Sequence, residues 1–184
     1  GVTLCGKNLY GALKRTPSGT LYGQGALNYY VMHLSLPNNT PPDAVWSPGQ
    51  GHYRSLVDLM GHRNLGGKTL LYLVDGLFGG YYWDSHPYPW KMPPFGDGTN
   101  GDWPSSLLVS QDPVAIDSVG YDLLLTEWPQ VVKNGTGATN SLQGGAEDYL
   151  HEAALANNPT SGTFYDPERD GSAMASLGVH EHWN

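Results

Sequence analysis

The chain is short of thiols, of cations and of uninterrupted apolar stretches. A single cysteine, Cys5, excludes an internal disulfide and any paired-thiolate zinc or iron–sulfur site. It reads as a small buried apolar residue. Only 14% of residues are charged, and nine Lys and Arg against 17 Asp and Glu leave a net charge of −8. That sign repels phosphate backbones and anionic lipid surfaces, so nucleic acid is not an expected partner. The longest apolar run, from Thr69 to Trp83, is interrupted by Asp75 and by glycines. It falls short of the roughly 20 residues that span a bilayer, so membrane insertion is not expected either.

What the chain has in quantity is turn-formers and rings. With 25 glycines and 14 prolines, much of it must be turns and shaped loops, while 12 tyrosines and six tryptophans argue against disorder. A length of 184 residues suits one domain able to bury a continuous core. The chain begins at Gly1 without a charged segment followed by an apolar one, so removal of a leading segment or partial coverage is expected. Asn38-Asn39-Thr40 and Asn134-Gly135-Thr136 match the N-glycosylation pattern, and Asp117-Ser118-Val119 is similar to a short bacterial O-glycosylation acceptor. An exported bacterial protein is the expectation, with a cytoplasmic one as the alternative.

Read along the chain, Gly1–Leu13 suggests a strand end passing into a glycine turn, and Ala26–Leu36 a helix or buried strand. Pro37–Gly51 reads as a long irregular connection. His52–His62 places Leu56, Leu59 and Met60 on one helical face, with Gly61 at its end. Thr69–Asp75 reads as a buried strand, and Phe78–Ser105 as a lid, an Ω-loop or a binding surface rich in Gly, Pro and aromatics. Ser106–Ser110 is a second strand. Asp112-Pro113 then caps a helix over Val114–Trp128, with Val114, Ile116, Val119, Leu123 and Leu124 expected to face inward. Ala146–Ala156 reads as a further helix, closed by Asn158-Pro159. The alternation predicts an α/β domain: a layered mixed or parallel sheet with flanking helices, functional groups lying beyond the carboxyl ends of the strands.

Four segments together carry a family resemblance. The run Gly1-Val-Thr-Leu-Cys-Gly-Lys-Asn-Leu-Tyr-Gly11, then His52 before a helix, then Leu-Val-Asp75-Gly76, then Ser110-Gln-Asp-Pro-Val-Ala-Ile-Asp117 resembles the motif order of domain of unknown function family 362. The likeness runs from Gly1 to about Glu127. It implies the family's fold and a common ancestry, with residues 1–184 forming one domain that lacks the family's N-terminal portion. Some members carry ferredoxin-like clusters, which one cysteine cannot hold.

Three groups of residues carry candidate chemistry. Asp75 and Asp112 each follow an expected strand, so with Asp117 they would gather at one sheet edge, where Lys7 and His52 would complete an acid/base or divalent-metal site. On this reading Lys7, His52, Asp75 and Asp112 are catalytic, Asn8 beside Lys7 binds ligand, and the substrate is small and anionic. The alternative uses are structural: Asp112 caps a helix, Asp75 closes a turn, and Asp117 complements the helix dipole. In the second group His180 and His182 flank Glu181, so on an extended segment both imidazoles face one side and can clasp a transition metal. His151-Glu152 can supply a third ligand, whereas docking of the tail into the core is the structural alternative. The third is the loop of Tyr81, Tyr82, Trp83, Tyr88, Trp90 and Trp103. Tyr82, Trp83 and Trp90 are its candidate contacts for a glycan, a small molecule or a second copy, and packing of rings on prolines is the alternative. Two readings follow: a metal-assisted or acid/base enzyme, or a secreted binding or assembly protein.

Overall fold

The computed structural model describes residues 4–9, 12, 34–35, 45–46, 53–80, 86–129 and 147–182. Within them the protein is a mixed α/β fold. Its helices are α1 (Cys5–Leu9), α2 (Ser55–Gly61), α3 (Pro113–Glu127) and α4 (Asp148–Ala154), and its strands are β1 (Leu34–Ser35), β2 (Val45–Trp46), β3 (Tyr72–Gly76) and β4 (Ser106–Ser110). β1 pairs with β2 and β3 with β4, both antiparallel.

Helix α3 organises the rest. Pro113 sits in its first turn, where a missing N–H costs nothing, and the Asp112 carboxylate accepts from the Val114 and Ala115 amides at 2.8 Å each. The helix boundaries follow the sequence closely. Its buried face does not. Val114 and Ile116 are buried as expected, but Val119, Leu123 and Leu124 are only half-buried. Val114, Asp117, Ser118, Tyr121 and Asp122, spaced i, i+3, i+4, i+7, i+8, form the buried stripe. A helix that turns three polar side chains inward must satisfy each of them, and those partners define the interior of the molecule.

On α2, Leu56, Leu59 and Met60 are buried at the expected spacing, next to Val57. The chain then doubles back through a 3-10 turn at Gly66–Lys68. A side chain at Gly66 would place its Cβ 1.8 Å from the Met60 carbonyl oxygen, so only glycine allows this return. Tyr149, Leu150 and Ala153 of α4 join Leu4, Val57, Met60, Val114 and Tyr121 in one core cluster. The loop after β3 belongs to it too: Trp90 is 6% exposed, its ring 5.1 Å from that of Trp128 and 5.5 Å from that of Phe95. Glu127, at the end of α3, accepts the Lys91 and Met92 amides and holds this loop in place.

Several expectations are corrected here. The opening segment forms helix α1 rather than a strand end, because the Cys5 and Gly6 amides find the Asp117 carboxylate at 2.8 and 2.7 Å instead of a ladder partner. The irregular connection contains β2. β3 is not covered on both faces: Tyr72 and Val74 pack with Cys5, Ile116 and Leu108, whereas Leu73, Leu107 and Val109 are exposed on the other side. The β3–β4 sheet is antiparallel, with Tyr72 opposite Ser110 and Gly76 opposite Ser106, not parallel. Among the described residues no helix is long and apolar enough to cross a membrane.

Candidate metal centre

Three segments distant in sequence meet along the polar half of the α3 stripe. Glu147, just before α4, and His151, one turn on, come from the first. Ser118 and Asp122 come from α3. His180 and His182 come from the irregular tail, which the Asp112 carboxylate fastens by accepting the Val179 amide at 2.9 Å. The tail can lie this close because residue 178 is glycine: a Cβ there would stand 1.9 Å from Asp112 Oδ1.

The imidazoles converge on one oxygen. His180 Nε2 lies 3.2 Å from Glu147 Oε1, His182 Nε2 3.3 Å and His151 Nε2 3.7 Å. The far nitrogens are also engaged: His180 Nδ1 lies 2.7 Å from Ser118 Oγ, and His182 Nδ1 3.0 Å from Asp122 Oδ1. The rings of His151 and His180 meet edge to face at 4.3 Å, and those of His180 and His182 at 5.1 Å. The His180 side chain is 6% exposed and that of His182 56%, so one side of the cluster is sealed and the other faces solvent.

The electrostatics follow from this crowding. The hydrogen bond to His180, helped by the charges of the three imidazoles, holds Glu147 below the usual glutamate range against the effect of its burial. Burial first, then neighbouring His180, lowers the pKa of His151. The bond to Asp122 raises that of His182. Tyr121, on the same stripe, is kept protonated by burial and then by the charges of Glu147 and Asp122.

One ligand atom each from Glu147, His180 and His182 falls within 4.8 Å of the others. Two ligand atoms, each about 2.0–2.1 Å from a tetrahedral zinc ion, stand roughly 3.3–3.4 Å apart. The two Nε2–Oε1 separations, 3.2 and 3.3 Å, match that edge length and stand at the long end of N–H···O hydrogen bonds. Two imidazoles and a carboxylate would leave a tetrahedral ion one further position. The donor set and its geometry fit a transition-metal ion.

The carboxylates expected at a common sheet edge do not meet. Antiparallel pairing puts the carboxyl end of β3 opposite the start of β4, so Asp75 and Asp112 lie at opposite ends of the ladder, separated by at least the steps from Asp75 back to Tyr72, roughly 10 Å. Each is used locally. Asp75 is exposed and accepts the Leu77 amide at 3.0 Å, and Asp112 caps α3. Asp117 is fully buried, accepting the Cys5 and Gly6 amides and the Tyr149 hydroxyl at 3.2 Å. Burial pushes its carboxyl up to about 6, although the amides of Gly6 and Cys5 pull it down. Burial, then the Asp117 charge, pushes the Cys5 thiol up to about 12, which makes it unreactive. Lys7 is half-buried on α1, which depresses its ammonium pKa, and Asn8 is exposed.

Trp90 is a core residue, its indole N–H on the Gly79 carbonyl, and presents no face to a ligand. Glu152 is buried among Ser161 and Tyr165 rather than at the histidines. His52, Tyr82 and Trp83 lie outside the described residues, as do both N-glycosylation triplets. Sequence reading named His180, His182 and His151 but missed Glu147, Ser118 and Asp122. For the last two a signal existed: the i, i+3, i+4, i+7, i+8 positions counted from Val114 are polar at three of five places. No protein-family profile, curated protein or solved structure matches the chain.

Proposed function

We propose that this protein is a metal-assisted enzyme whose ion is held by Glu147, His180 and His182. The observation that carries the reading is the convergence of two imidazole nitrogens on one carboxylate oxygen at 3.2 and 3.3 Å. A divalent transition ion with three protein ligands keeps a position for water or substrate, polarises what binds there and lowers the pKa of bound water. The protein's own contribution is to hold the three donors, to seal the His180 side and to leave the His182 side open. The ion's own charge, concentrated at the open position, favours a small anionic substrate there, while Glu147 and Asp122 balance it from the protein side.

Kinship with domain of unknown function family 362 belongs to the same proposal, on the Lys7-Asn8 and Ser110–Asp117 motifs. So does a wider, layered mixed sheet including β3 and β4, since the bare apolar face of Leu73, Leu107 and Val109 is one that further layers would cover. That same face supports self-association as a second reading. Sedimentation over a range of concentrations tests it: a dimer dispersed by Leu107→Lys supports the reading, and a monomer throughout removes it.

The metal reading is tested on chelator-stripped protein by native mass spectrometry and zinc titration. One zinc ion per chain in the unsubstituted protein, lost in His180→Ala and in Glu147→Gln, is the expected result. A natively folded protein that takes up no stoichiometric transition metal overturns it.

A further inference from the structure

We infer that Ser118 and Asp122, neighbours on the buried stripe of α3, are positioning residues that preset His180 and His182 to offer their Nε2 atoms as ligands before any ion arrives. This rests on the metal reading for its purpose, but not for its geometry. The Ser118 hydroxyl has one proton and two neighbours, the Val114 carbonyl oxygen at 2.7 Å and His180 Nδ1 at 2.7 Å. The carbonyl can only accept, so the proton lies there, and toward His180 the serine oxygen can only accept. His180 Nδ1 therefore carries the hydrogen. An ionised Asp122 likewise accepts only, so its 3.0 Å contact assigns a hydrogen to His182 Nδ1.

Protonated, the two rings donate from Nε2 to Glu147; once neutral with hydrogen on Nδ1, each turns a bare Nε2 lone pair toward Glu147 Oε1, itself a lone-pair donor. Three such atoms repel one another unless positive charge lies among them, and an ion does this for all three at once. The arrangement also selects. Two imidazole nitrogens and one carboxylate suit zinc and its transition-metal neighbours, whereas magnesium and calcium take oxygen ligands in larger number. An outer shell prepared in this way lets an ion bind without first turning either ring.

Long-range proton–nitrogen NMR of the imidazoles in metal-free protein, at alkaline pH where both rings are neutral, reads the tautomers directly. His180 and His182 are expected with hydrogen on Nδ1 in the unsubstituted protein. Ser118→Ala should release the His180 ring into a tautomer mixture, and Asp122→Ala the His182 ring. Zinc should bind each variant roughly 10- to 100-fold more weakly, and Asp122→Asn, which keeps an acceptor oxygen, should restore most of the loss. Purely structural roles would lower thermal stability in these variants while leaving the tautomer of the ring that lost its partner and the zinc affinity unchanged, which overturns the inference. So does hydrogen on Nε2 of either ring in the unsubstituted protein, a result that needs no variant to fold. Nδ1 hydrogens on both rings together with no zinc uptake would sustain the positioning geometry and strike only the metal reading.

Discussion

Asp112 accepts the Val179 amide through Oδ2 while its Oδ1 caps helix α3, so one carboxylate joins the start of the central helix to the segment that delivers His180 and His182. The two roles can be separated. Asp112→Asn keeps an oxygen for the cap but sets an NH2 group against the Val179 N–H. Zinc affinity should fall several-fold while helix content holds, as read by titration and circular dichroism. Asp112→Ala removes both contacts and should also lower unfolding free energy by about 1–2 kcal/mol, from the cap alone.

Gly178 makes that joint possible. A Cβ there would meet the Asp112 carboxylate at 1.9 Å, and the carboxylate cannot swing aside without uncapping α3. Gly178→Ala should lift the tail and weaken zinc binding at least as much as Asp112→Asn. An unchanged zinc titration curve would mean that the tail is held by something other than this contact.

The Asp117 carboxyl sets a pH dependence of stability. Burial raises its pKa from 3.8 to about 6 in the folded chain, so between those values the folded state holds the proton more tightly than the unfolded one. Stability from this group is therefore greatest at acid pH and is lost as pH rises through that window, by about 3 kcal/mol for roughly two pKa units. Asn at 117 does not titrate. In urea melts, the stability of the unsubstituted protein relative to Asp117→Asn should decline from pH 4 to pH 6 and level off above; a difference that stays flat contradicts the raised pKa.

Zinc should act as a folding ligand. At about 1,000 times its dissociation constant it should add about 4 kcal/mol to the unfolding free energy, and excess chelator should reverse the gain. Magnesium at the same concentration should add nothing, because it favours all-oxygen octahedral ligation. Equal stabilisation by both ions would point to unspecific charge screening of the acidic chain.

Trp90 serves the core rather than a ligand. Trp90→Ala should cost about 3–5 kcal/mol of stability, the range for deleting a large buried ring. Its folded fraction should bind zinc as the unsubstituted protein does, since its neighbours Phe95 and Trp128 are not part of the histidine cluster.

Much of the local structure was legible in the sequence. Strand β4, the Asp112-Pro113 start of α3 and the Leu56, Leu59, Met60 face of α2 all follow from capping and periodicity, which act over a few residues. The pair His180 and His182 was legible for the same reason: alternation along an extended chain puts both rings on one side. The inward face of α3 was misread because hydrophobicity was counted without its spacing. Asp117, Ser118 and Asp122 are buried not for being apolar but because the Cys5 and Gly6 amides, His180 and His182 come to meet them.

The sequence by itself determined β4, the buried face of α2, the capped start of α3 and which residue types are present to ligate an ion, whereas α1 formed through its contact with Asp117. Only the tertiary structure decided which of them meet. The direction of strand pairing separated Asp75 from Asp112, and the tail's passage across the Asp112 cap brought two histidines to Glu147, 33 positions away from His180. Such meetings depend on how whole elements pack, and no short stretch of chain carries that information.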